Sequence, residues 1–283
     1  MTQPSAQDST ARSNATRSNA ARISVDLHGK VAFITGGAGG IGRGLALELA
    51  RLGCDVAVLD LEQAAAQTVA DEVAALRRRS LALAADVRDA AAMQTAVDQA
   101  IATLGQIDFL FANAGVIGPA AFEDITPDDW TNVLDVNVKG VTHTCEAVVP
   151  HMRARRRGRI LVTASYNGIR AGAHVMPYRV SKAAVIMYAR CLALAMAPYD
   201  VTVNAICPGV TLTRMQLDYA AVAAAQQGLS RDDYLTAREA RIPMQHFTEI
   251  DDLTGLAAFL VSDSARLITG QAIAADGGVL VSS

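Results

Sequence analysis

The chain has 283 residues, 51% of them apolar, and a formal net charge of −3. That is ample apolar material for one sizeable α/β core, and the charge balance gives no electrostatic footprint for nucleic acid or an acidic membrane. No uninterrupted apolar stretch reaches the roughly 18 residues of a bilayer span, since the best candidate, Val185 to Pro198, is short and contains Arg190.

Residues 1–25 are rich in Ser, Thr, Asn, Ala and Gln, with almost no apolar anchor before Ile23. Such a segment buries too little surface to offset its ordering entropy, so it is expected to be a disordered tail ahead of a single domain over 26–283. Cys54, Cys145, Cys191 and Cys207 are isolated, without metal-ligand or redox-pair spacing. They read as buried free thiols in a reducing compartment, here the cytoplasm.

Lys30 to Thr35 is an apolar run short enough for a buried strand. It meets Gly36-Gly37-Ala38-Gly39-Gly40-Ile41-Gly42 and then a helical pattern, Arg43 to Ala50. Strand, glycine turn and helix together hold a pyrophosphate, because glycine lets the backbone come close and a helix N-terminus offers free N–H groups. The literal G-x-G-x-x-G fits Gly37, Gly39 and Gly42, and its place between strand and helix is what gives it weight. Asp55 to Leu59 is a second strand ending at Asp60, where a carboxylate accepts hydrogen bonds from an adenosine ribose. It also repels a 2′-phosphate. With no Arg or Lys directly after Asp60, and Gly39 rather than a basic residue before Gly40, the expected cofactor is NAD(H) rather than NADP(H).

Glu62 to Arg79 reads as a helix, Leu81 to Ala85 as a strand ending at Asp86-Val87, Ala90 to Thr103 as a helix, and Ile107 to Phe111 as a strand ending at Asn113. This alternation predicts an α/β fold: a doubly wound, Rossmann-type parallel sheet of about seven strands, with ligands at the carboxyl ends of the strands. The glycine loop, Asp60, Asp86 and Asn113 all fall there. Thr126-Pro127-Asp128-Asp129 looks like a helix start, and the helix runs through Asn137 towards His151. Arg153, Arg155, Arg156, Arg157 and Arg159 follow, read as cations on a solvated face at a helix C-terminus. Ile160 to Ala164 is a fifth strand ending at Ser165. On the next helix Tyr178 and Lys182 are four apart and share a face. Val201 to Ile206 is the sixth strand. The long polar, Ala-rich stretch of about 211–247 is expected to be a substrate lid, with Arg231, Arg238 and Arg241 as exposed helix residues. Ile250 to Ser262 is a helix and Ala272 to Ala275 a last strand.

From about Asp26 to Gly278 the chain resembles the short-chain dehydrogenase/reductase family. The residues that carry the resemblance are Thr35-Gly36-x-x-x-Gly40-x-Gly42, Asn113-Ala114-Gly115, the set Asn137, Ser165, Tyr178 and Lys182, then Pro208-Gly209 and Asp276-Gly277-Gly278. Ala112 departs from it, because many members have a second Asn there. The resemblance implies that Asn137, Ser165, Tyr178 and Lys182 form a catalytic tetrad, with Asn137 holding a water that links Lys182 to solvent. It implies that Asp86 and Val87 contact adenine, that Ile41 lies against the pyrophosphate, and that Thr211 is near the carboxamide. It also implies a homotetramer or homodimer.

Elementary chemistry supports the same roles. Hydride transfer to a carbonyl needs a proton delivered to the oxygen, and the reverse needs a base. A free Tyr, with a pKa of about 10, is a poor base near neutrality, and a neighbouring ammonium lowers that value. Tyr178 is then the acid/base, Lys182 tunes it and binds the nicotinamide ribose, and Ser165 aligns the substrate oxygen. The expected activity is an NAD-dependent alcohol dehydrogenase or ketoreductase acting on a small molecule. The alternative is a non-catalytic nucleotide-binding scaffold or sensor, which has no need of the proton relay. The insertion is similar to that of sugar-alcohol dehydrogenases, which implies a polyol or diol; secondary alcohols, hydroxylated terpenoids and aromatic diols stay open.

Overall fold

The computed structural model describes residues 25–119 and 121–282. The expected disordered tail, apart from Val25, lies outside the described residues. Seven strands, β1 (Val31–Thr35), β2 (Asp55–Asp60), β3 (Ser80–Ala84), β4 (Phe109–Ala112), β5 (Gly158–Thr163), β6 (Val201–Pro208) and β7 (Ala272–Ala275), form one parallel sheet in the order β3-β2-β1-β4-β5-β6-β7. The chain winds outward from β1 to β3, then returns to the other side of β1 with β4. That reversal opens a crevice beyond the carboxyl ends of β1 and β4, the natural ligand position in such sheets.

The alternation along each strand divides the core between two faces. Val31 and Phe33 of β1 pack with Met93, Val148, Val185 and Ala189, whereas Ala32 and Ile34 pack with Leu45, Leu49, Val69 and Leu253. The first face is covered by α3 (Ala90–Leu104), α5 (Gly140–Arg155) and α6 (Met176–Met196), and the second by α1 (Gly40–Arg51), α2 (Gln63–Ala75) and α9 (Ile250–Val261). Between β6 and α9, α7 (Arg214–Gln226) and α8 (Arg231–Glu239) pack on each other through Ala220, Ala223, Ala224 and Tyr234.

The structure corrects three of these readings. The helix expected from Thr126 to His151 is α4 (Pro127–Leu134), then one wide π turn over Asp135–Lys139, then α5. Thr126 and Asp129 do form the capping box that starts it. The π turn depends on one i→i+5 bond, Gly140 N–H to Asp135 O, which local residue preferences do not announce. The arginines after α5 are not all solvated. Arg155 pairs at 2.9 Å with Asp108, which is 2% exposed, and Arg159 is buried and donates to the carbonyls of Gly158 and Asp200. Of the cysteines, Cys191 is exposed. Met176–Tyr199, α6 with the turn after it, has the length and average composition of a bilayer span, but its apolar run is interrupted by Arg179, Lys182 and Arg190. Its apolar side is occupied by the sheet, where Val185, Ala189, Ala193 and Met196 are buried.

Candidate active site

A single cavity of about 1040 Å³ runs across the carboxyl ends of the strands. Gly36, Gly39, Gly40, Ile41, Asp60, Asp86, Val87 and Asn113 line one end, and Ser165, Tyr178, Lys182 and Thr211 line the other part.

At the first end the backbone does most of the shaping. Gly36 has φ +62°, and a Cβ there would sit 2.9 Å from the Ala114 Cα. A Cβ on Gly42 would sit 2.0 Å from the Gly36 carbonyl oxygen. Gly40 (φ +51°) leaves no room either, because Thr213 Cγ2 is 2.9 Å from where its Cβ would be. Gly39 is different: nothing lies within 4 Å of its Cβ position, so it faces open cavity. Only glycine brings these segments so close. Asn113 clamps them, its Nδ2 donating to the carbonyls of Thr35 and Gly36 and its Oδ1 accepting from Thr163 Oγ1 at 3.0 Å. The ends of β1, β4 and β5 are thereby fixed to one another. Its amide is thus occupied within the protein. Asp60 at the tip of β2 accepts from the N–H groups of Ala38 and Leu61 and keeps lone pairs towards the cavity. Asp86 is held below the usual carboxylate range by the side chain of Arg88, which forks onto both its oxygens. The open space above Gly39, the free N–H groups of the α1 N-terminus and the Asp60 carboxylate fit a dinucleotide's pyrophosphate and adenosine ribose.

Towards the other end, Ser165 follows β5 in extended backbone, is 5% exposed, and its Oγ accepts from Asn167 N–H, leaving its own proton to donate. Tyr178 and Lys182 lie one turn apart on α6, with Lys182 Nζ 5.5 Å from the Tyr178 ring centre. The ammonium donates to the Thr163 carbonyl at 2.7 Å, so two of its three protons stay free for a ligand. Val175, the residue before α6, is buried in the cavity wall with φ +50°, a left-handed conformation that is costly for a β-branched side chain.

Burial dominates the electrostatics. It pushes the Tyr178 phenol up to about 12, opposed by the hydrogen bond from Ser165, and pulls the Lys182 ammonium down to about 8. A neighbouring ammonium was expected to lower the tyrosine; burial raises it instead, and the groups opposing that rise are Ser165 and Arg179 rather than Lys182. Cys207, behind them, has its thiol raised to about 11 by burial, so it is neutral and no nucleophile.

Asn137 does not line the cavity. It sits fully buried in the π turn, where Nδ2 donates to Val116 O and Ser181 Oγ and Oδ1 accepts from Val116 N–H. Both amide protons are committed, so the side chain ties the loop after β4 to α6.

The insertion supplies the far wall. Met215, Gln216, Tyr219, Tyr234, Arg238 and Arg241 line it. Arg238 is not the exposed helix residue that its place in the sequence suggests: its guanidinium donates to the hydroxyls of Tyr166 and Tyr234, each at 3.3 Å. The residue pattern of α8, polar almost throughout, held no signal for this; the neighbouring Tyr234, the one buried residue of that helix, was the available hint.

The short chain dehydrogenase family matches over residues 30–223. Oxidoreductase UcpA of Escherichia coli (strain K12) is 38% identical over 255 residues, covering 89% of this chain and 95% of that protein. The (−)-trans-carveol dehydrogenase of Rhodococcus erythropolis is 34% identical over 273 residues, covering 89% and 98%. Among solved structures, an NAD+-bound xylitol dehydrogenase superposes with a TM-score of 0.85 at 32% identity, covering 89% of this chain and 99% of its own. With the sheet order, the cavity and these likenesses together, the chain belongs to the short-chain dehydrogenase/reductase family and is an oxidoreductase of alcohols and ketones.

Proposed function

We propose that the protein interconverts a secondary alcohol and its ketone with NAD(H), with Tyr178 as acid/base, and that the substrate is a polyol or diol. The observation that carries this is the convergence of Ser165, Tyr178 and Lys182 in one cavity with a glycine cradle and an acidic strand tip. A bound nicotinamide accepts or supplies the hydride and, when oxidised, adds a positive charge beside the phenol.

The chain's own residues do the rest. Ser165 Oγ donates to the reacting oxygen and holds it against the Tyr178 hydroxyl. In oxidation the substrate hydroxyl proton passes to the Tyr178 phenolate; in reduction Tyr178 returns it to the carbonyl oxygen. Lys182 offers its two free ammonium protons to ribose hydroxyls and its charge to the phenolate. Asn137 acts by position: it fixes α6 through Ser181, three residues from Tyr178, and any water serving Lys182 is held by main chain of the π turn rather than by the committed amide.

The Asp60 carboxylate, with Arg88 engaged by Asp86, supports NAD over NADP. The NAD+-bound state named for the similar xylitol dehydrogenase agrees with it. A polyhydroxylated substrate suits two buried side-chain atoms of lining residues that have no hydrogen-bond partner, Asn167 Oδ1 and Gln216 Nε2. We further propose the family's oligomeric assembly, homotetramer or homodimer, and a cytoplasmic setting.

The test is Tyr178→Phe. Turnover should fall by about 10²–10⁴-fold, the range for losing a positioned acid/base, while NAD affinity stays within a few-fold. Unchanged turnover ends the mechanism, and a screen of polyols, diols and cyclic alcohols with both cofactors tests substrate and cofactor.

A further inference from the structure

We infer that the substrate carries an anionic group, a carboxylate, and that Arg238 holds it while Ser165 and Tyr178 engage the hydroxyl or carbonyl. The inference rests on the alcohol–ketone reading above and narrows its polyol or diol to one that also bears a carboxylate, or the oxo acid formed from it.

The distribution of charge along the cavity is the first observation. Its lining contains two carboxylates, Asp60 and Asp86, both at strand tips on the cofactor side, and Asp86 is already neutralised by Arg88. The substrate side has Arg179, Arg238 and Arg241 and no carboxylate in its lining.

The second is how the other arginines are satisfied. Arg155 forms hydrogen bonds to Asp108, Gln106 and the Ile107 carbonyl. Arg159 has two carbonyls and lies 3.7 Å from Asp263. Arg179 donates to the carbonyls of His174 and Arg170, and Arg214 pairs with Asp218. Arg241 is exposed, whereas Arg238 is half-buried. Its guanidinium is set among three tyrosines, 5.7 Å from the Tyr234 ring centre and 6.0 Å from that of Tyr219, with only the two long bonds to Tyr166 and Tyr234. Among the described residues no carboxylate pairs with it. Three of its five N–H groups have no protein partner, and the half-buried side chain lines the cavity, so they are available to a ligand there. The tyrosine faces hold the cation in place, and a carboxylate can accept two of the free N–H groups at once.

The third is connection to the chemistry. Tyr166 directly follows Ser165, so the hydroxyl that accepts from Arg238 belongs to the segment that presents the proposed substrate-aligning group. That hydroxyl keeps its own proton, a second donor for the same anion.

The experiment uses matched pairs, aldonic acids against alditols of the same carbon number and hydroxy acids against their amides, with the full-length protein and NAD. The acids should have the higher kcat/KM by about ten- to hundredfold, the range for a charge-assisted bidentate contact. Arg238→Met should remove that preference, chiefly through KM, and Arg238→Lys should restore part of it. Calorimetric binding of oxo-acid analogues that are not reduced, against their amides, to the NADH complex of wild type and Arg238→Met gives a readout independent of turnover. Acids no better than their neutral partners in both assays, or an Arg238→Met loss equal for acid and neutral members, overturns the inference. Tighter binding of a phosphate monoester than of the matched carboxylate overturns the carboxylate assignment. Failure to bind NADH at all, or turnover unaffected by Tyr178→Phe, sinks the underlying dehydrogenase reading instead.

Discussion

The two ends of the cavity are built from different materials. The cofactor side is backbone: glycines at the ends of β1 and the start of α1, pressed so close that added Cβ atoms would meet neighbouring chain, with Asn113 pinning three strand ends together. The substrate side is side chain: Tyr166, Tyr219, Tyr234 and Arg238, contributed by a loop after β5 and by the helices inserted after β6. A backbone cradle recognises a group common to many reactions, because main-chain N–H groups and a helix dipole do not depend on residue identity. A wall of side chains on an insertion varies without disturbing the sheet, so it is where one substrate is told from another.

The comparison breaks first at Gly42. Gly42→Ala places a methyl 2.0 Å from the Gly36 carbonyl, and the backbone must move. A loss of about 3 kcal/mol in denaturant unfolding, together with loss of NAD binding, is expected. Gly39→Val, whose Cβ enters open space, should leave the melting temperature within about 2 °C and weaken only NAD affinity. Equal destabilisation by both would mean that the loop is not a cradle with one open side.

A second effect, confined to alkaline pH, lies where the two ends meet. Lys182 is driven from 10.5 down to about 8 by burial, so the unfolded chain holds this proton more tightly. Stability from this residue is therefore lower below pH 8 and rises as pH climbs towards 10.5, by about 3 kcal/mol at full extent. Wild type compared with Lys182→Met between pH 7 and 10 should show that rise; parallel curves would mean that the ammonium is not desolvated. The smallest effect is expected at Asp60. Asp60→Asn keeps an acceptor for the N–H groups of Ala38 or Leu61 but removes the charge, and should reduce the ratio of NAD to NADP efficiency about tenfold.

The fold was legible because each clue was local. Strands of β-branched and apolar residues alternate with helical patterns, and the glycine run gains its meaning from lying between the first strand and the first helix. Tyr178 and Lys182 could be placed on one face because a helix repeats every 3.6 residues. Ser165 could be placed beside them because it ends a strand of the same sheet. Asn137 was found by motif, yet its committed amide was not, since its partners Val116 and Ser181 are 21 and 44 residues away in the chain.

By itself, then, the amino-acid order determined the parallel sheet, its ligand-bearing edge and the shared helix face of Tyr178 and Lys182, all consequences of periodicity and of glycine's missing side chain. Only the folded chain decided that the helix at Asn137 widens by one turn, that Arg155 reaches buried Asp108, and that Arg238 turns inward among tyrosines. Each of those depends on which distant groups end up adjacent and, for Asn137 and Asp108, on burial making an unpaired amide or charge too costly to leave. Such a cost exists only once the water is gone.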